Sequence, residues 1–74
     1  MDMAHLIKMA NEIGGYFEAM PDRAEAVNAI GAHLKSFWEP RMRRQIIDYA
    51  EHDGGELKEI VRDAVLALRA VKSS

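Results

Sequence analysis

Three serines are the only candidates for a Ser, Cys or Thr nucleophile in this sequence, because its 74 residues include no cysteine and no threonine. Ser36 falls near the end of a predicted helix, and Ser73 and Ser74 are the last two residues. Nucleophilic catalysis requires an activated side chain and several convergent groups around the reacting atom. No motif of that kind surrounds any of the serines, so the sequence predicts no catalytic residue.

Metal and phosphate chemistry find equally little support. The three histidines, His5, His33 and His52, do not share the four-residue spacing that places two ligands on one helical face, and thiolate ligands are absent. Two glycine pairs, at positions 14–15 and 54–55, lack the lysine and the preceding strand of a nucleotide-binding loop. We therefore predict no metal site and no cofactor held by this chain.

The segment richest in reactive and binding side chains spans residues 35–44, where four basic residues, two aromatic residues and one acid fall within ten positions. It reads Lys35-Ser36-Phe37-Trp38-Glu39-Pro40-Arg41-Met42-Arg43-Arg44. Three interpretations stay open. The aromatic side chains could complete a core, with the arginines solvated. The arginines could bind phosphate while Trp38 stacks on a base. Tryptophan and arginine, which dominate the energy of many interfaces, could instead dock a protein.

Periodicity and charge bear on these alternatives. Phe37 continues the apolar stripe of the preceding predicted helix, so we predict it in the core. Trp38 cannot share that direction fully, because neighbouring helical positions point about 100° apart. Ten basic against twelve acidic residues give a net charge of -2. Nucleic-acid-binding domains usually carry a basic excess, so this balance argues against nucleic acid as the partner.

Helices are the elements that must position these residues. Apolar side chains recur at three- and four-residue steps along the chain, which is typical of amphipathic helices. The pattern predicts four helices, at about residues 3–19, 23–37, 40–52 and 56–71. No run reads as a strand. We therefore expect an all-α fold, a compact bundle of about four short helices, as one domain over residues 1–74 with a frayed end at 72–74.

Proline, aspartate and glycine mark the predicted boundaries. Pro21 precedes Asp22, which suits an N-cap, and Pro40 suits the first position of a helix. The glycines at 54–55 suit a left-handed turn after a helix. The glycines at 14–15 lie inside the first helix, where we expect the helix to continue and another helix to approach closely.

Size and hydropathy constrain the setting. A core this small supplies only about 3–5 kcal/mol of net stability and often needs support. Without cysteine, disulfides are excluded, which leaves helix packing and association. The acidic start Met1-Asp2 does not suit a signal peptide, and no stretch reaches the roughly 18 apolar residues that cross a bilayer. We expect a cytoplasmic protein with no membrane partner.

Three separated blocks form a recognisable pattern: the Phe-Trp-Glu-Pro-Arg-Met-Arg string at 37–43, the upstream runs at 9–14 and 17–23, and the downstream glycines at 54–55 with the run at 60–64. Together they resemble the delta subunit of soluble NAD-dependent formate dehydrogenases. The resemblance covers nearly the whole chain. It implies a complex whose catalytic alpha subunit holds a molybdenum or tungsten bis-pyranopterin centre. Iron–sulfur clusters lead from there to FMN on the beta subunit, which reduces NAD. It assigns this chain no cofactor.

The resemblance favours docking for the 35–44 segment. It implies a non-catalytic accessory subunit that supports assembly or stability by docking on the larger formate dehydrogenase subunits, above all the catalytic alpha subunit. We expect the partner surface to contain Trp38, Glu39, Arg41, Arg43 and Arg44, with Asp22 and Arg23 at the opposite end of the second helix. A transient maturation factor for molybdenum cofactor insertion and, less favoured, a small DNA-binding regulator stay open. So does self-association of the isolated chain.

Overall fold

A computed structural model describes the backbone of residues 2–72, with side chains through Arg69. These residues form four helices: α1 (Met3–Phe17), α2 (Arg23–Phe37), α3 (Pro40–His52) and α4 (Glu59–Lys72). No strand occurs among them, so the predicted all-α fold is confirmed. Ser73 and Ser74, in the end that we expected to fray, lie outside the described residues. No helix in the described part is long and apolar enough to cross a membrane.

The helix starts follow the predicted capping residues. The Asp22 carboxylate accepts hydrogen bonds from the backbone N–H groups of Ala24, at 2.9 Å, and Glu25, at 3.4 Å. These bonds satisfy donors that have no partner inside the helix. Pro40 occupies the first turn of α3, where its fixed φ is favourable and a missing N–H costs nothing. The predicted roles of Asp22 and Pro40 are confirmed.

The end of α3 requires glycine. Gly54 has a φ of +68°, a conformation that side chains with a Cβ rarely adopt. A Cβ at this position would also lie 3.1 Å from both the Ala50 carbonyl oxygen and Arg62 Nε. The predicted left-handed turn is therefore confirmed at Gly54.

The connection from α3 to α4, residues 53–58, is longer than predicted. The Leu57 N–H donates to the Gly54 carbonyl at 3.1 Å, and the Leu57 side chain is buried in the core. α4 begins at Glu59 rather than near residue 56. Periodicity predicts Leu57 in the helix, whereas the Leu57 side chain reaches the core from the turn before α4.

The core forms around α4. This helix packs against all three other helices, most extensively against α2. Six large side chains are fully buried: Leu6, Ile30, Leu34, Ile46, Val61 and Val65. Burying a side chain of this size contributes about 1.5–3 kcal/mol. Every helix supplies at least one of these six, and the buried residues form a single cluster.

The glycine pair in α1 permits the closest approach of α1 to α4. α1 is continuous through Gly14 and Gly15. A Cβ at Gly14 would collide with Val61 Cγ2, whereas the nearest atom to a Cβ at Gly15 would be Lys58 Cε, at 4.0 Å. The prediction of one helix with close packing at the glycines is confirmed, and Gly14 is the residue responsible.

Candidate docking surface

Neither a metal-ligand group nor a buried charged side chain marks a site among the described residues. No group of three or more His, Asp or Glu side chains in this part of the chain is arranged to hold a metal ion. No polar or charged residue among them is buried, and strongly perturbed titratable groups usually need burial. The candidate site therefore lies on the surface, at residues 35–44, which we call the α2–α3 corner.

The backbone of the corner turns within two residues. α2 ends at Phe37, and the Trp38 N–H still donates to the Leu34 carbonyl at 3.0 Å. Trp38 itself is extended, with φ -90° and ψ 141°, and so is Glu39. Pro40 then starts α3. The chain thus leaves the α2 helical path at Trp38.

This change of path reverses the predicted places of the two aromatic residues. Trp38 is 5% exposed and belongs to the core, whereas Phe37 is 74% exposed. The prediction that Phe37 completes the core was wrong, because the backbone becomes extended at Trp38 and places the indole, rather than the Phe37 ring, in the core. Trp38 was expected on the partner surface, but its indole is almost wholly covered by the chain's own residues.

Arg43 also has a partner within the chain. Its Nη1 donates to the carbonyl oxygens of Lys35, at 2.9 Å, and Trp38, at 2.6 Å. Carbonyls in the last turn of a helix lack intrahelical partners and carry partial negative charge. Arg43 therefore ties α3 to the end of α2. We had predicted it on the partner surface, and its observed contacts give it a structural role that sequence reasoning missed.

Glu39, Arg41 and Arg44 remain exposed at the corner, as does Lys35. Three cations against one anion give these four residues a net charge of +2, on a chain whose net charge is -2. The corner is thus a basic surface on an otherwise acidic protein. Glu39, Arg41 and Arg44 are the residues of the predicted partner surface that the fold leaves exposed at the corner, and Lys35 adds a cation that the prediction did not include.

Asp22 and Arg23 lie at the other end of α2, which has fifteen residues and is therefore roughly 22 Å long. Arg23 Nη1 lies 2.9 Å from Asp63 Oδ2, and its Nη2 lies 3.7 Å from Glu59 Oε1. Asp22 caps the helix. The structure does not bring this pair to the corner, and both residues serve contacts within the chain.

A row of aromatic side chains crosses from α1 to α2, and sequence reasoning did not identify it. The ring centroids are 6.1 Å apart for Tyr16 and Phe17, 6.3 Å for Phe17 and His33, and 4.7 Å for His33 and Phe37. Tyr16 is 82% exposed. We call these four residues the aromatic row. Phe17 and Phe37 are the last residues of their helices, and periodicity does not predict which parts of a helix end the rest of the fold covers.

Comparison with known proteins identifies a family. A family model described as the NADH-dependent formate dehydrogenase delta subunit FdsD matches residues 5–65 of the 74. The match includes the whole α2–α3 corner and the aromatic row. It confirms the resemblance seen in the sequence. No curated protein and no solved structure matches the chain.

Proposed function

The chain belongs to FdsD, the family of NADH-dependent formate dehydrogenase delta subunits, and from that premise we propose that it is a non-catalytic accessory subunit. In this proposal it docks on the catalytic alpha subunit of a cytoplasmic complex and supports assembly or stability of that complex. Membership of a delta subunit family implies association with other formate dehydrogenase subunits. The choice of the alpha subunit as the partner is part of the proposal.

One observation carries the docking role: the exposed basic surface of the α2–α3 corner. Trp38 in the core and Arg43 on two backbone carbonyls hold the backbone of the corner. Arg41 and Arg44 extend from this fixed backbone into solvent. Pre-organisation of this kind lowers the entropic cost of binding. Arginine forms paired hydrogen bonds with carboxylates, which supplies both affinity and orientation.

The proposal places every redox group on other subunits. These groups are the molybdenum or tungsten bis-pyranopterin, the iron–sulfur clusters and FMN. Cysteine thiolates are the usual ligands of iron–sulfur clusters, and this sequence has none. The contribution of this chain would therefore be binding energy rather than electron transfer.

Purification of the tagged chain from its native host grown on formate tests the proposal. We expect an eluate that reduces NAD in the presence of formate and contains this chain in a fixed ratio to the larger subunits by mass spectrometry. Cross-linking with peptide identification should connect the corner to the alpha subunit. A chain found only with cofactor-free alpha subunit, and missing from the active complex, would identify a maturation factor instead. An eluate with no larger subunit would overturn the proposal.

A further inference from the structure

The aromatic row leaves two large aromatic side chains in water. Tyr16 and Phe37 are the large hydrophobic residues with the highest exposure in the described part, at 82% and 74%. They are linked through the partly buried rings of Phe17 and His33, so the four rings form one connected row. Single exposed apolar residues are common, but contiguous apolar patches mark binding surfaces. Aromatic rings also provide large contact area at low entropic cost.

The basic corner begins where the row ends. Only Trp38 and Glu39 separate Phe37 from α3, and Arg41 and Arg44 follow within the first five residues of that helix. The first turn of α3 contains no acidic residue. The N-terminal end of a helix carries partial positive charge, which disfavours a cation in the first turn, where Arg41 lies. The isolated chain therefore holds Arg41 at an unfavourable position, and Arg44 one turn further on, beside its apolar row.

We propose that the aromatic row and the exposed cations Lys35, Arg41 and Arg44 form one docking surface. Its partner is an apolar groove bordered by carboxylates on the catalytic subunit. This inference rests on the proposed function and deepens it, because it states the chemistry of the partner's surface. A standard interface covers about 800 Å² per partner, roughly a sixth of this chain's 4764 Å². One face of so small a subunit is therefore enough to seat it.

Charge argues against a second copy of the chain as the occupant. A symmetric dimer places the same patch of both copies against each other. Lys35, Arg41 and Arg44 of both copies would then lie in one interface, with only Glu39 of each corner to offset them. Like charges brought together across an interface disfavour association. Carboxylates on a different subunit remove this repulsion and also relieve the unfavourable charge at the start of α3.

The apolar half of the proposal is tested by removing the exposed rings. Tyr16→Ala with Phe37→Ala, co-expressed with the other subunits of the complex, should reduce the chain recovered per alpha subunit at least fivefold. The matched control Tyr16→Phe with Phe37→Leu keeps apolar side chains and should keep recovery near wild type. A second control, Lys8→Ala with Glu12→Ala, removes exposed side chains elsewhere on α1. Thermal melts of the isolated chains should be alike, because Tyr16 and Phe37 are mostly solvated.

The charged half is tested by reversing the corner. Arg41→Glu with Arg44→Glu should lower recovery at least fivefold, while Arg41→Lys with Arg44→Lys retains most of it. Wild-type binding should weaken as salt rises, since exposed ion pairs are screened. The single change Arg41→Glu places an acid in the first turn of α3, where acids are favourable, so its melting temperature should not fall. Loss of binding by a variant that melts at or above the wild-type temperature cannot be attributed to unfolding.

Three results would overturn the inference. If the ring-removed and charge-reversed variants were recovered with the alpha subunit in the same amount as wild type, this surface would be excluded as the docking surface. The accessory role itself would not be contradicted. Sedimentation showing that the ring-removed variant loses self-association, with normal incorporation into the complex, would assign the row to a second copy. Failure of the wild-type chain itself to join the complex would overturn both this inference and the proposed function.

Discussion

The α2–α3 corner and the α3–α4 connection both join helices, yet they satisfy their polar groups in different ways. In the connection, the Asn11 side chain reaches over from α1. Its Nδ2 donates to the Glu56 carbonyl and its Oδ1 accepts from the Lys58 N–H, both at 2.9 Å. The Glu56 N–H donates to the Tyr49 hydroxyl at 3.0 Å. These polar groups find their partners within the chain.

The corner is satisfied on its inner side and exposed on its outer side. Arg43 donates hydrogen bonds to the carbonyls of Lys35 and Trp38. Arg41 and Arg44 face solvent, and Arg41 lies in the first turn of α3, where a cation is least favourable. A residue type that lowers stability at its position in the fold often marks a functional site. The difference indicates that the connection serves the fold, whereas the outer side of the corner is the better candidate for function.

The largest expected effect comes from removing the anchor of the corner. Trp38→Ala deletes a 5% exposed indole and should cost about 3–5 kcal/mol, similar to the whole stability of about 3–5 kcal/mol for a core this small. We expect the helical circular dichroism signal of the isolated chain to collapse. Phe37→Ala is the control and should melt like wild type. Unfolding of Phe37→Ala with a wild-type melt for Trp38→Ala would instead show that Phe37, as periodicity predicts, is the ring in the core.

The connection should be sensitive at Asn11. Asn11→Ala leaves the Glu56 carbonyl and the Lys58 N–H without their observed partner and should cost about 1–3 kcal/mol. Urea unfolding of the isolated chain measures this loss. Asn28→Ala, at an exposed position in α2, should change the midpoint little. Equal midpoints for the two variants would show that solvent replaces the Asn11 bonds, and the contrast between the regions would weaken.

Arg43 distinguishes the inner from the outer side of the corner. Arg43→Met removes two hydrogen bonds to carbonyls and should destabilise the isolated chain by about 1–2 kcal/mol, with water replacing part of the loss. Arg44→Met, one position on and exposed, should not destabilise the chain. Urea midpoints of the two variants give the comparison. A larger loss at Arg44 would contradict the assignment of Arg43 as the structural arginine.

Arg41 should respond with opposite signs in two assays. Arg41→Glu places an acid in the first turn of α3, which now has none, and should stabilise the isolated chain by about 0.3–1 kcal/mol. Incorporation into the complex should fall. Melting temperature and recovery with the alpha subunit are the two measurements. If melting temperature and recovery both rise, or both fall, the result would contradict a role for the corner cations in binding.

The smallest effect concerns His52, beside the connection. Hydrogen bonding to the Asp48 carbonyl, then the charge of the Asp48 carboxylate, raises the pKa of His52 above its ordinary 6.5. A raised pKa means that the folded state favours the protonated form. Its small stabilisation should be complete below pH 6.5 and disappear as the pH rises through the folded-state pKa. The melting temperatures of wild type and His52→Gln should therefore differ at low pH and become equal at high pH. A difference in melting temperature that stays the same at every pH would contradict a raised pKa for His52.

Much of the fold was predictable because it depends on neighbours in sequence. Asp22 caps the helix that begins at the next residue, and Gly54 adopts the backbone that its own missing Cβ permits. Gly14 was also predictable, since a bare position on an apolar helix face invites close packing. At the corner, the exposure of Arg41 and Arg44 agrees with expectation. Their role in docking stays a proposal.

Other features required the tertiary structure. The exchange of Phe37 and Trp38 depends on the direction in which the chain leaves α2. The aromatic row depends on how α1 crosses α2, which brings Phe17 to His33 from sixteen positions away. Periodicity describes side-chain directions within a helix. It carries no information about the path of the chain after α2 or about the angle at which α1 crosses α2.

The sequence by itself determined the four helices, their caps and turns, and the family, because these follow from local backbone preferences and from short strings of residues. Only the tertiary structure decided which polar side chains are used within the chain. Asn11 finds its partners 45 and 47 positions away, and Arg43 finds its partners across a helix break. A hydrogen bond forms wherever folding brings donor and acceptor within about 3 Å, and sequence separation does not record that distance.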